Sequence, residues 1–487
     1  MKKGLKFPLI VVLVLVGLCT VGTAVMFFAK LCPPAGPWPT PPWCGINSQD
    51  TYNLPPISFP LSVPTPEVLT IENAIVFPTD KGAIDYPDMF TNPTITSAQV
   101  IDPYCAIEQE EVAFPAEYLG SYEFPQVNGA PLPAEINRIV GIKDSWIPEP
   151  NHNSCPYSVP YEKMRQALDT TLLRVEALGG DGITFTNYIH FVDFENAELQ
   201  PPDKSAITAS DLRYITDRAQ QIGLEMTLYL NLAPGQVEVS WEIPSGEWLA
   251  TLINNWEPFV LEQAQLAEEA GIDALMVNHF DYQPSIAGFE DVYQTEMLEV
   301  VNNVREIYSG RILLMIEPLA GANLNKLETL LSSVDGFIYT PETTPLRNAS
   351  DKTVSVSNLK SLYLDNLNRV SRDFGKFNKP FLLRVLIQSE KGFLESGWNE
   401  DQFCIAREGN PCYQKDLEVD FSLQAIAYEA LMEAIAEIPG GSLVIGGIDT
   451  YGYWFTDVIL PFDSQPQIAQ SIRNKPAESV VFEWFKP

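Results

Sequence analysis

The chain has 487 residues, 46% hydrophobic and 11% aromatic with nine Trp, a composition that suits a globular protein with a large core and excludes a disordered one. Its 63 Asp and Glu against 30 Lys and Arg give a formal charge of −33. That excludes nucleic acid as a partner, because a phosphate backbone is held by a concentrated basic surface.

Residues Phe7 to Ala29 form an almost purely apolar stretch of 23, preceded by Lys2, Lys3 and Lys6 and followed by Lys30. Such a stretch crosses a bilayer once as a helix, and its positive leading flank keeps the N-terminus cytoplasmic. The expected protein is single-pass, contacting the membrane through this helix with its C-terminal domain outside the cytoplasm. A secreted protein is the alternative, because Gly22-Thr-Ala24 offers small residues at a signal-peptide cleavage point. The apolar run continues through Val25 to Phe28, which favours the uncleaved anchor.

Residues 1–30 therefore read as anchor or signal segment and 31–66, rich in Pro with Trp38 and Trp43 among them, as a semi-rigid linker. Residues 67–135 read as a small β-rich or irregular segment, with Val68–Ile71 and Ala74–Phe77 as candidate strands. Apart from Cys19 there are six cysteines, an even number that fits structural disulfides in an oxidising compartment. The simplest pairing joins Cys32 to Cys44, Cys105 to Cys155 and Cys404 to Cys412, with other connectivities open.

From 136 to 487 short apolar runs alternate with helical patterns eight times. The runs lie at 139–143, 182–188, 226–230, 274–277, 312–316, 336–339, 381–387 and 443–448. Strand and helix in strict alternation predict an α/β fold with a parallel sheet, and eight repeats predict a (β/α)8 TIM barrel. Helix signals agree: Thr208 and Asp211 have capping-box spacing, with Asp in place of Glu. Leu212, Ile215 and Ala219 then recur at helical spacing before Gly223; Val260, Ala264 and Ala267 do so before Gly271, and Leu423, Ile426 and Ala430 form a third such face. In such barrels the site lies on the loops after the strands, so strand ends become candidates.

The stretches Leu178–Phe185, Ser205–Ile215, Ala219–Leu224, Gly271–Ala274 and Gln424–Tyr428 resemble retaining glycoside hydrolases of the (β/α)8 superfamily, nearest to the family 113 β-mannanase-like group. Ser471–Ala477 is similar to the tail of secreted bacterial members. The resemblance implies an O-glycosyl hydrolase that uses two carboxylates about 5 Å apart on an oligo- or polysaccharide. It also implies a Glu after Asn at the end of the fourth strand, where this chain has Asn278-His279, so the catalytic Glu there is unmatched. Two residues on, Asp281 falls on the same side of the strand as His279 and becomes the candidate acid. Glu390 beyond the seventh strand and Glu317 ending the fifth are the candidate nucleophiles, with Glu342 a weaker choice.

Sugar rings stack on flat side chains through their C–H faces, so aromatic strand ends are candidate substrate contacts: Trp146, Tyr188, Tyr229, Tyr339, Tyr453 and Trp454. Asn187, Asn231, Asn278 and His190 could hydrogen-bond hydroxyl groups. Two alternatives remain open: a barrel that binds carbohydrate without hydrolysing it, and a metal-dependent hydrolase built on His190 with Asp193 and His279 with Asp281. No cofactor is expected, and with no glycine-rich phosphate loop or Gly-x-Ser-x-Gly elbow in the sequence, neither nucleotide binding nor serine hydrolysis is expected.

Overall fold

The computed structural model describes residues 97–101, 108–113, 125–127, 131–142, 161–201, 207–234, 237, 239–240, 242–280, 284–396, 420–438, 443–453, 470–473 and 475–486. All belong to one compact unit, Lys81–Pro487. The expected anchor at 7–29, the Pro-rich linker, the expected strands at 68–71 and 74–77 and the six cysteines expected to pair lie outside the described residues, as do Trp146, Asp281 and Trp454. Among the described residues no helix is long and apolar enough to cross a membrane.

Strands β1 (Ser97–Ile101) and β2 (Glu108–Ala113) form an antiparallel pair, with Ser97 opposite Ala113. The barrel follows in strict order. Strand β3 (Asn137–Gly141) leads through helix α1 (Tyr161–Ala177) to β4 (Gly182–Asp193), and the short β5 (Glu198–Leu199) folds back on the end of β4. Helix α2 (Ala209–Gln221) precedes β6 (Glu225–Ala233), α3 (Gly246–Ala270) precedes β7 (Ala274–Phe280), and α4 (Glu290–Ile307) precedes β8 (Arg311–Met315). A 3-10 turn, Glu317–Leu319, and α5 (Glu328–Ser333) lead to β9 (Gly336–Tyr339), and α6 (Val356–Phe374) leads to β10 (Phe381–Val385). After α7 (Phe393–Ser396) and α8 (Phe421–Glu437) come β11 (Ile445–Thr450) and the last helix, α9 (Pro476–Phe485).

Eight of these strands pair in parallel and close on themselves in the order β3, β4, β6, β7, β8, β9, β10, β11, with β11 returning to β3. The eight apolar runs are these eight strands. Only β9 matches its run at both ends, and two of the differences bear on the site. β4 runs to Asp193, because Phe191 pairs with Leu199 and packs on Phe194 and Trp248. β11 starts and ends two residues later than expected and so includes Asp449 and Thr450.

Alternation along each strand separates two apolar layers. Ile139, Ala274, Met276, Leu313, Met315, Ile338 and Leu382 fill the barrel interior together with Tyr229. Their neighbours, such as Val140, Ile183, Leu228, Leu275, Ile312, Phe337 and Leu383, face the helices. The helices begin where the sequence signals them. Thr208 accepts from the Asp211 N–H at 3.2 Å and donates to the Asp211 carboxylate at 2.7 Å, which is the expected cap. Helix α3 starts on the Ser245 side chain and stops at Gly271, whose φ of +73° is the left-handed conformation glycine supplies without steric cost. Trp256 of α3, fully buried, donates its indole N–H to the Val277 carbonyl at 2.9 Å, so one side chain both fills the layer and fixes the helix on β7.

Candidate active site at the barrel mouth

Above the apolar interior the inward side chains change character. On β4 the inward file is Thr184, Thr186, Tyr188 and His190; on β6 Tyr229 is followed by Asn231. Arg384 follows Leu382 on β10, and Asp449 and Tyr451 lie at the end of β11. These polar side chains collect at the C-terminal ends of the strands, where barrels of this type hold their sites.

Asp449 is the centre of this group. It is fully buried, and its Oδ2 accepts from Tyr229 Oη at 2.7 Å and Thr184 Oγ1 at 3.2 Å. Burial pushes its carboxyl up to about 6, with the Tyr229 hydrogen bond and the Arg384 charge opposing the rise. Burial and the Asp449 charge in turn push the Tyr229 hydroxyl far above its ordinary range. The neighbouring strand β3 leaves room for the carboxylate only because it carries glycine: a Cβ on Gly141 would lie 2.5 Å from Asp449 Oδ1 and 2.8 Å from Thr184 Oγ1.

Arg384 is 4% exposed and spans the mouth. Its guanidinium carbon lies 3.7 Å from the centre of the Tyr451 ring and 5.6 Å from that of Tyr229, and its Nη1 is 3.0 Å from His279 Nε2. Burial and the Arg384 charge hold His279 well below the usual imidazole range, so His279 is neutral at pH 7 and presents Nε2 to Arg384 as an acceptor. A β-bulge sets this pairing. Tyr229 stands opposite Met276 and Asn231 opposite His279, so β7 spends one residue more than β6 between the two matches.

The bulge also turns Asn278 away from the mouth. Its amide donates to Tyr293 Oη at 3.0 Å and the Met315 carbonyl at 2.9 Å and accepts from the Met315 N–H at 2.7 Å, so it ties β7 to β8 and α4 rather than contacting substrate. Tyr339 is corrected in the same way: it faces the helices and donates to Asn366 of α6 at 2.7 Å. Asn187 donates to Gln263 at 2.9 Å and caps the Ile207 N–H, and Tyr453 donates to Glu478, so both are structural. Tyr229 faces inward as expected but is wholly buried, supporting Asp449 instead of lining a groove. Tyr188 and His190 lie with near-parallel rings, 6.3 Å between centres, on the inward face of the extended β4.

Of the expected carboxylates, Glu317 occupies the 3-10 turn after β8. Its Oε1 takes the Thr340 backbone N–H, its Oε2 is buried, and burial raises its pKa against that hydrogen bond. Glu390 is 9% exposed beyond β10 and is likewise raised by burial. Glu342 is occupied by Thr344, which donates to it through both N–H and hydroxyl. Asp193 is held by Asn196 at the surface, and among the described residues no group of three or more His, Cys, Asp or Glu is placed to hold a metal ion.

No protein-family model matches the chain, and no curated protein matches it in sequence. Solved structures do match in shape. A GH113 β-1,4-mannanase is 14% identical with a TM-score of 0.50, over 72% of this chain and 98% of that one. A complex structure of a GH113 β-1,4-mannanase (12%, TM-score 0.49, 72% and 98%) and the GH113 β-mannanase of Alicyclobacillus acidocaldarius (14%, TM-score 0.48, 72% and 97%) also align. The chain thus shares its (β/α)8 fold with a GH113 β-1,4-mannanase.

Proposed function

We propose that this chain is a glycoside hydrolase that acts on oligo- or polysaccharide at the C-terminal end of its barrel. One observation carries the reading: the apolar interior gives way at the strand ends to inward polar and aromatic side chains, with the enclosed carboxyl groups of Glu317 and Glu390 beyond them. The mechanism we infer uses two carboxylates. Glu317 and Glu390 are both raised by burial, which suits either to proton donation, and they are the two carboxylates of that reading. Asp281, expected from the sequence as the acid, is the competing donor.

A screen of the full chain on β-linked mannans, galactans and glucans tests this. Product is expected from wild type, with a fall of about 100- to 10,000-fold in Glu317→Gln or Glu390→Gln. Unchanged turnover in both variants would sink the assignment. Binding without hydrolysis is the second reading. It is favoured by His279 at the place of the missing Glu and by Val385, which packs into the outer core where the resemblance puts the nucleophile. Under that reading glycan binds to wild type and no product forms.

We further place the barrel outside the cytoplasm, held to the cell membrane by residues 7–29. Protease added to intact cells is then expected to digest the domain; a chain protected until lysis overturns the topology.

A further inference from the structure

Arg384 has no counter-ion in contact among the described residues. It is 4% exposed, and among the described residues no carboxylate lies within 4.0 Å of its guanidinium. Its neighbours are neutral: His279 at Nη1, and the rings of Tyr451 and Tyr229. Its Nε is buried without a hydrogen-bond partner. Asp449 and Glu317 feel its charge without touching it, and Asp449 Oδ2 is committed to the hydroxyls of Tyr229 and Thr184. A buried guanidinium with an unused N–H is costly unless something pairs with it, because both the charge and the donor have left water.

We propose that Arg384 receives the carboxylate of a uronic acid, so that the glycan taken at the mouth is an acidic one; this rests on the carbohydrate reading above. Nη1 is turned to His279, so the donor left unmet lies on the Nε edge of the guanidinium. A planar carboxylate meets that edge with two parallel hydrogen bonds, which a single hydroxyl does not supply. Neutral His279 keeps the Arg384 charge available because it accepts a hydrogen bond without neutralising it. The net charge of −33, with Glu317 and Asp449 beside the site, argues for isolated uronic acids among neutral sugars rather than a polyuronate.

The test is calorimetric titration of the full chain with a disaccharide of glucuronic acid β-linked to a neutral hexose, with its carboxyl-reduced counterpart, and with the sulfated neutral disaccharide. Wild type is expected to bind the acidic sugar at least about tenfold tighter than the reduced one, the scale of one charge-assisted hydrogen bond. Arg384→Gln is expected to abolish that preference and Arg384→Lys to keep part of it. Equal affinity for acidic and reduced sugars, a comparison that needs no variant, overturns the uronate site and leaves the carbohydrate reading standing. Stronger binding of the sulfated sugar overturns the assignment to a carboxylate. Should no disaccharide bind while free glucuronate still raises the melting temperature of wild type and not of Arg384→Gln, the carboxylate site is supported and the polysaccharide reading falls. No response to any probe overturns both.

Discussion

Replacing Arg174 with Met is expected to destabilise the barrel by about 3–5 kcal/mol, the range found when one partner is removed from a buried ion pair. Arg174 ends α1 and Glu478 begins α9, 304 residues apart in sequence. The guanidinium donates twice to the carboxylate, at 2.9 and 2.6 Å, and the two side chains are 2% and 4% exposed. Tyr453 donates its hydroxyl to the same carboxylate. The pair therefore fastens the last helix across the seam where β11 meets β3. Around it Leu132 donates its N–H to the Trp484 carbonyl, and Trp484 donates its indole N–H to Glu429 of α8 at 2.7 Å.

Arg174→Met would leave a buried carboxylate without its guanidinium, which costs more than the hydrogen bonds alone. Arg473, which donates to Thr171 at 2.8 Å and lies over the Tyr453 ring, keeps a second cation near and places the expected loss towards the lower end. Denaturant unfolding of the two proteins measures the difference. Combining Arg174→Met with Glu478→Leu is expected to recover part of the loss, because the double change removes both charges. A loss under about 1 kcal/mol in the single variant, the value of an exposed pair, would show that the pair does not hold the seam.

The eight strands were legible because a parallel barrel strand is buried on both faces and reads as a continuous apolar run. That same property hid the site. In such a run nothing marks which side faces the interior, so Asn278 and Tyr339 looked like mouth residues although their side chains meet α4 and α6. The bulge in β7 has no sequence signature here and shifts the facing of everything after Met276. Arg384 reads in the sequence as a lone charge inside the apolar run 381–387. Asp449 lies one residue beyond the apolar run 443–448 and carries no signal of its own, because a carboxylate inside a barrel requires hydroxyl donors from β4 and β6 that only the closed sheet brings to it. A charged residue interrupting a barrel strand was the available signal.

Asp449 also sets the second large effect, a pH dependence of stability that one substitution should erase. Its carboxyl titrates at about 6 in the folded chain against 3.8 for the free side chain, because the interior opposes ionisation more than Tyr229, Arg384 and Thr184 favour it. The folded state then holds a proton that the unfolded chain has released throughout the interval between those values. Stability contributed by the neutral carboxyl is fully present below about 4 and is lost as pH rises through 6. A gap of about two pKa units corresponds to roughly 3 kcal/mol. Asparagine has nearly the same shape, accepts from Tyr229 and Thr184 through its amide oxygen, and does not ionise. Measured by denaturant unfolding at about pH 4 and pH 7, the stability of wild type minus that of Asp449→Asn should fall by roughly 3 kcal/mol across the interval, every other titrating group cancelling in the difference. A difference that stays flat would mean that Arg384 compensates the ionised carboxylate fully. The two groups would then act as an ion pair at longer range, and the guanidinium would have no charge left to offer a bound anion.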